Sequence, residues 1–82
     1  MVTPGQMRAA RAFIGISQAE LARRAGVSVP TIKRCESGGE NIPAVSSETQ
    51  QKIRTVLEAE GIAFLPENGD GPGVRLAKKP AR

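Results

Sequence analysis

The chain has no histidine, tryptophan or tyrosine, a single cysteine, two phenylalanines and no long apolar run. Each absence closes a class of explanation. Without His, catalysis by a His-centred triad and the usual zinc ligand sets drop out. One thiol, Cys35, cannot staple the fold, so disulfides drop out as well. No Gly-Lys-Ser/Thr occurs, which removes the Walker type of phosphate loop. The longest apolar stretch is a few residues and the N-terminus lacks a basic–apolar–small signal pattern, so the expectation is a cytoplasmic chain that neither enters nor crosses a membrane. Asp, Glu, Cys and Lys do not cluster at spacings that suit paired acid–base work, so no catalytic residue, metal, cofactor or small-molecule ligand is expected.

What remains is an 82-residue chain, 39% hydrophobic, with 12 Lys and Arg against 8 Asp and Glu. A chain of this size holds one domain and a tail and buries only about 60% of its unfolded surface, which makes self-association a natural supplement to stability. The net charge of +4 is unevenly placed: residues 1–38 carry +4, residues 39–73 carry −4, and the tail from Val74 carries +4. A basic front suits a polyanion, although a solvated surface of uneven charge explains the same pattern.

Thr3-Pro4 opens a helix, with Thr as cap and Pro at the first helical position; Met7, Ala10 and Ile14, with Phe13 beside it, recur at helical spacing until Gly15. Ser17-Gln18-Ala19-Glu20 reads as a capping box for a second helix. Leu21, Ala22 and Ala25 line its inner face, and Gly26 is the left-handed stop. Only Val27 separates that stop from Ser28, which caps a third helix through about Glu36. Pro30 falls at its second position, within the first turn, where amides have no intrahelical partner. Ile32 and Cys35 form the inward pair. A loop over Glu40 to Pro43 precedes a helix capped by Ser46 or Ser47 and running to about Glu60, with Ile53, Val56 and Leu57 inward and Gly61 as its stop.

Beyond Gly61 the period changes. Ile62 to Leu65 and Val74 to Leu76 are short strands flanking a run dense in Gly, Pro, Asn and Asp, which predicts a hairpin with a long loop. The expected division is residues 1–61 as the helical domain, 62–77 as the hairpin and 78–82 as a flexible basic tail.

Two short capped helices around a glycine turn describe a helix-turn-helix, and the residues meet its geometry. Ala22 is small where the helices cross, Gly26 turns the chain, and Ile32 plugs the core beneath the third helix. Leu21, Ala25, Val27 and Cys35 fill the other inward positions. Through Ser17-Gln18-Ala19-Glu20-Leu21-Ala22-Arg23-Arg24-Ala25-Gly26-Val27-Ser28 and the closing Glu36-Ser37-Gly38, the chain resembles the Cro and phage-repressor type of helix-turn-helix regulator, the XRE family, over roughly Thr3 to Gly61. The resemblance implies a mainly α, four-helix DNA-binding domain, here followed by a short C-terminal β-hairpin, that presents the helix from Ser28 to the DNA major groove, usually as a dimer on a two-fold operator. It also implies that Gln18 holds a phosphate and braces the recognition helix, and that Arg11 and Glu36 form a buried ion pair. The chain departs from the family at Cys35, where a larger apolar residue is commoner, and in the loop Gly39-Glu40-Asn41, which often carries Lys or Arg. The strand-and-turn tail also replaces the last helix of many members.

On this reading Val29, Pro30, Lys33 and Arg34 face outward with Ser28 at the rim. Lys33 or Arg34 would pair with guanine, while Val29 and Pro30 would offer apolar contact to a thymine methyl. Ser17, Gln18, Arg23, Thr31 and Asn41 are the phosphate-side residues, although a solvated helix face explains Arg23 equally well. One short helix reads about four base pairs, too few for a unique site, so a second copy is expected, and the hairpin residues Ile62, Phe64, Leu65, Val74 and Leu76 are the expected dimerisation element. The leading expectation is a sequence-specific repressor acting on double-stranded DNA as a homodimer in the bacterial cytoplasm, associated with the nucleoid. The alternative is an antitoxin-like DNA-binding protein whose C-terminal segment binds a partner protein.

Overall fold

Local chemistry fixes the ends of the helices. In the computed structural model, which describes residues 2–37, 45–66, 69 and 71–76, the Thr3 hydroxyl accepts from the Gln6 amide at 3.1 Å and the Gln6 side chain accepts from the Thr3 amide at 2.8 Å. This reciprocal box starts α1 (Pro4–Ile14). Ser17 caps α2 (Gln18–Ala25) through the Glu20 amide at 3.0 Å. The return half of the box expected there is not made, because the Glu20 carboxylate is taken by Arg23 and Arg24, three and four residues on. Ser28 caps α3 (Val29–Ser37) through the Thr31 amide at 3.2 Å, with Pro30 harmless in the first turn. Ser46, rather than Ser47, caps α4 (Ser47–Ala59). Gly15 and Gly26 both stand at φ 70°, the left-handed conformation that ends α1 and turns the chain between α2 and α3.

The four helices enclose a core of Met7, Ala10, Leu21, Ala22, Ile32, Ile53, Leu57 and Ile62. Ala22 is 3% exposed, as its place at a helix crossing requires. Cys35 is half-buried and packs against this cluster, where burial pushes its thiol pKa up, so it behaves as a small apolar filler. Val29 departs from expectation: it is half-buried against the core rather than turned outward. It lies one turn before Ile32 and therefore shares the inner stripe of α3.

Antiparallel strands β1 (Ile62–Leu65) and β2 (Gly73–Leu76) pair Ile62 with Leu76, Ala63 with Arg75, Phe64 with Val74 and Leu65 with Gly73. Paired residues share a face, so Ile62, Phe64, Val74 and Leu76 lie on one side. That side is turned to the protein's own core: Ile62 is buried, and Phe64 and Val74 pack against the cluster. Of the residues expected to dimerise, Ile62 is thus buried within the chain and Phe64 and Val74 are half-buried against its core. Leu65 and Leu76 remain exposed, at opposite ends and on opposite faces of the hairpin.

Two further contacts dock the hairpin. The buried Gln6 side-chain amide donates to the carbonyls of Leu65 at 2.9 Å and Gly73 at 2.7 Å, the register pair nearest the loop. The Arg54 guanidinium stands 5.4 Å from the centre of the Phe64 ring, a cation–π contact, while its Nε donates to Glu58. Ala77 and the tail from 78 lie outside the described residues.

Candidate nucleic-acid interface

Helices α2 and α3 meet through Gly26, Val27 and Ser28; the Val27 amide returns to the Ala22 carbonyl at 3.0 Å, which holds the turn tight. The last turn of α3 is then tied to α1 and α2 through one residue. The Glu36 side chain, 4% exposed, accepts Arg11 Nε at 2.9 Å, Arg11 Nη2 at 3.0 Å and Gln18 Nε2 at 3.1 Å. Its backbone carbonyl accepts from Arg8 Nη1. Arg11 Nη1 donates to the Ile16 carbonyl at 3.1 Å, so all three nitrogens of that guanidinium are used. Thus α1 supplies two arginines and α2 a glutamine to the last turn of α3. A buried carboxylate requires this degree of satisfaction, and a bidentate arginine gives it with fixed geometry. The Glu36 hydrogen bonds also raise the Arg11 pKa above its ordinary value. The Arg11–Glu36 ion pair is therefore present, and Gln18 ties the start of α2 to the last turn of α3.

The outer stripe of α3 presents Ser28, Pro30, Lys33 and Arg34 to solvent, with Thr31 half-buried among them. The Ser28 and Thr31 hydroxyls are 2.8 Å apart, and Arg34 Nη2 donates to Thr31 Oγ1 at 3.3 Å. Among the described residues, neither Lys33 nor Arg34 makes an ion pair, whereas most of the basic front is engaged elsewhere. Arg23 and Arg24 both bind Glu20, and their hydrogen bonds pull its carboxyl below the usual carboxylate range, to about 2. Arg24 also reaches Glu60 at 2.8 Å. Arg23 is exposed but shares its charge with Glu20, and Ser17 is exposed at the start of α2. Asn41 lies outside the described residues.

Two residues that sequence reasoning did not single out matter here. Gln6 had a legible signal, the Thr3-x-x-Gln6 spacing of a capping box, but nothing local announced its reach to the hairpin. Arg8 had none, because its partner is a backbone carbonyl 28 positions away. Among the described residues no group of three or more potential metal ligands comes together, and no helix is long and apolar enough to cross a membrane.

A glycine-turned helix pair, braced from within and displaying an exposed cationic stripe, defines a DNA-binding regulator of the helix-turn-helix class. A family model described as a helix-turn-helix domain matches residues 5–60, and the chain belongs to that family. Comparison with curated proteins returns no match.

Proposed function

We propose that this chain is a sequence-specific transcriptional repressor that binds a two-fold operator as a homodimer, on the nucleoid in the bacterial cytoplasm. The observation that carries the reading is the division of α3: Ile32 and Glu36 fasten it from within, while Lys33 and Arg34 stand outside without ion-pair partners among the described residues. In the major groove Arg34 or Lys33 would meet guanine O6 and N7. Ser28, Pro30 and the exposed part of Val29 would line the neighbouring bases. Ser17, Gln18, Arg23 and Asn41 would hold phosphates; Gln18 uses one side-chain proton on Glu36 and has a second to give.

Arg34→Ala is expected to weaken binding to the preferred site by about 1–3 kcal/mol and to relax one base position, leaving random DNA little affected. Fluorescence anisotropy titrations on both duplexes check this, and an equal loss on each would remove Arg34 from base reading.

One recognition helix reads about four base pairs, so a unique site needs two copies about one helical turn apart. We assign self-association to the exposed ends of the hairpin, Leu65 or Leu76. Because they lie on opposite faces, single substitutions tell them apart: Leu65→Asp or Leu76→Asp should weaken the dimer about tenfold or more in sedimentation equilibrium, and only one of them should do so. Two fully dimeric variants would take the hairpin out of the interface.

A further inference from the structure

Thr31, expected as a phosphate contact, stands in a row of hydrogen-bonded side chains on α3. Ser28, Thr31 and Arg34 follow one another at three-residue spacing, so their side chains stack along a single stripe of α3. Ser28 Oγ already accepts the Thr31 amide as the helix cap, and its hydroxyl lies 2.8 Å from that of Thr31. Thr31 Oγ1 in turn accepts from Arg34 Nη2. The chain of contacts therefore runs from the fixed first turn of α3 out to a guanidinium that is exposed to solvent and has no ion pair among the described residues.

We propose that Thr31 is a positioning residue for sequence reading, holding the Arg34 guanidinium in the orientation that meets a base edge. The inference rests on the reading of Arg34 as a base contact. A free arginine loses several rotatable bonds on docking, and restraining it beforehand lowers that cost. Arg34 carries five N–H donors, and the bond to Thr31 uses one of them. The remaining fork is free for guanine O6 and N7, the bidentate contact that discriminates most strongly among bases. A β-branched threonine suits this duty better than serine in one respect: its side chain is stiffer about the first torsion, so the oxygen has few places to go.

The test selects binding sites from a randomised duplex library with the full chain, its Thr31→Val, Thr31→Ser and Arg34→Ala variants, and the Thr31→Val/Arg34→Ala double variant. Valine matches threonine in shape and leaves the Ser28 cap on the residue 31 amide in place. Thr31→Val is expected to select the same site with looser preference at the position that Arg34→Ala loosens. Its affinity for that site should fall about three- to tenfold, while affinity for random duplex and the salt dependence of binding stay unchanged. Thr31→Ser should keep most of the preference, and adding Thr31→Val to Arg34→Ala should cost nothing further. Equal losses on selected and random duplexes with a shallower salt dependence would make Thr31 a phosphate contact and overturn the proposal. Full specificity in Thr31→Val, or additive losses in the double variant, would overturn it too. The parent reading fails in a different way: either the unsubstituted chain enriches no site, or Arg34→Ala leaves every position intact, and both results overturn the positioning role along with it.

Discussion

Arg11→Ala is expected to lower the unfolding free energy by about 3–5 kcal/mol, because it leaves a carboxylate buried without its cation. The Glu36 side chain is 4% exposed, and after the substitution the Gln18 amide would be its one remaining donor among the described residues. Glu36→Ala should cost less, since the Arg11 side chain is 25% exposed and its guanidinium can turn to water. For a domain of this size the whole stability is about 4–12 kcal/mol, so either loss is a large fraction of it. Urea denaturation should show a lower midpoint at unchanged slope. The paired replacement Arg11→Met with Glu36→Leu should recover much of the loss, because apolar side chains of similar volume carry no desolvation cost. Losses below about 1 kcal/mol in both single variants would mean that water or another group supports these charges.

Gln6→Leu is the second large effect. The residue is 5% exposed, and its amide serves the Thr3 cap and two hairpin carbonyls at once. A leucine of similar size keeps the packing and removes all three hydrogen bonds, leaving the Leu65 and Gly73 carbonyls without that donor. The expected loss is about 2–3 kcal/mol, or about 10–20 °C in melting temperature for a chain of this length. Hydrogen exchange should localise the damage, with the β1 and β2 amides losing protection before those of α2 and α3. A melting temperature within a few degrees of the parent would show that the hairpin is held by its apolar face alone. Cutting the chain after Gly61 is a poorer probe of self-association than a point substitution, since it removes Ile62 from the core and strands Gln6 together.

The parts of the fold that could be read from the sequence are those whose causes are local. Caps at Thr3, Ser17 and Ser28 and turns at Gly15 and Gly26 depend on residues within one helical turn, and each stands where the residue types require it. The half-made box at Ser17 shows the limit of such reading: the spacing allows Glu20 to return to the cap, but two arginines one turn ahead compete for the same carboxylate and win. Val29 follows the same local logic, because its three-residue step to Ile32 places it on the inner stripe. The hairpin posed a harder problem. Alternation tells which residues share a face, but not whether that face meets a second copy or the chain's own helices. The answer depends on α4 and on α1, the latter nearly sixty residues earlier and the source of the two bonds from Gln6. At the candidate interface the outward cations were legible from periodicity. The engagement of Arg23 and Arg24 by Glu20, which sets them apart from Lys33 and Arg34, needed the packed structure.

Glu36 separates two kinds of change in α3. What holds the helix in place reaches it from α1 and α2 through its inner side and its last turn, so the outward positions Pro30, Lys33 and Arg34 bear almost none of the domain's mechanical load. A duplicated copy of this chain could therefore exchange those side chains and acquire a new target while its scaffold stays as it was. The route is narrower at Ser28, whose hydroxyl caps the helix, and at Thr31, whose hydroxyl meets both Ser28 and Arg34. Divergence of targets among descendants would then begin at the far end of the stripe and move toward the cap last.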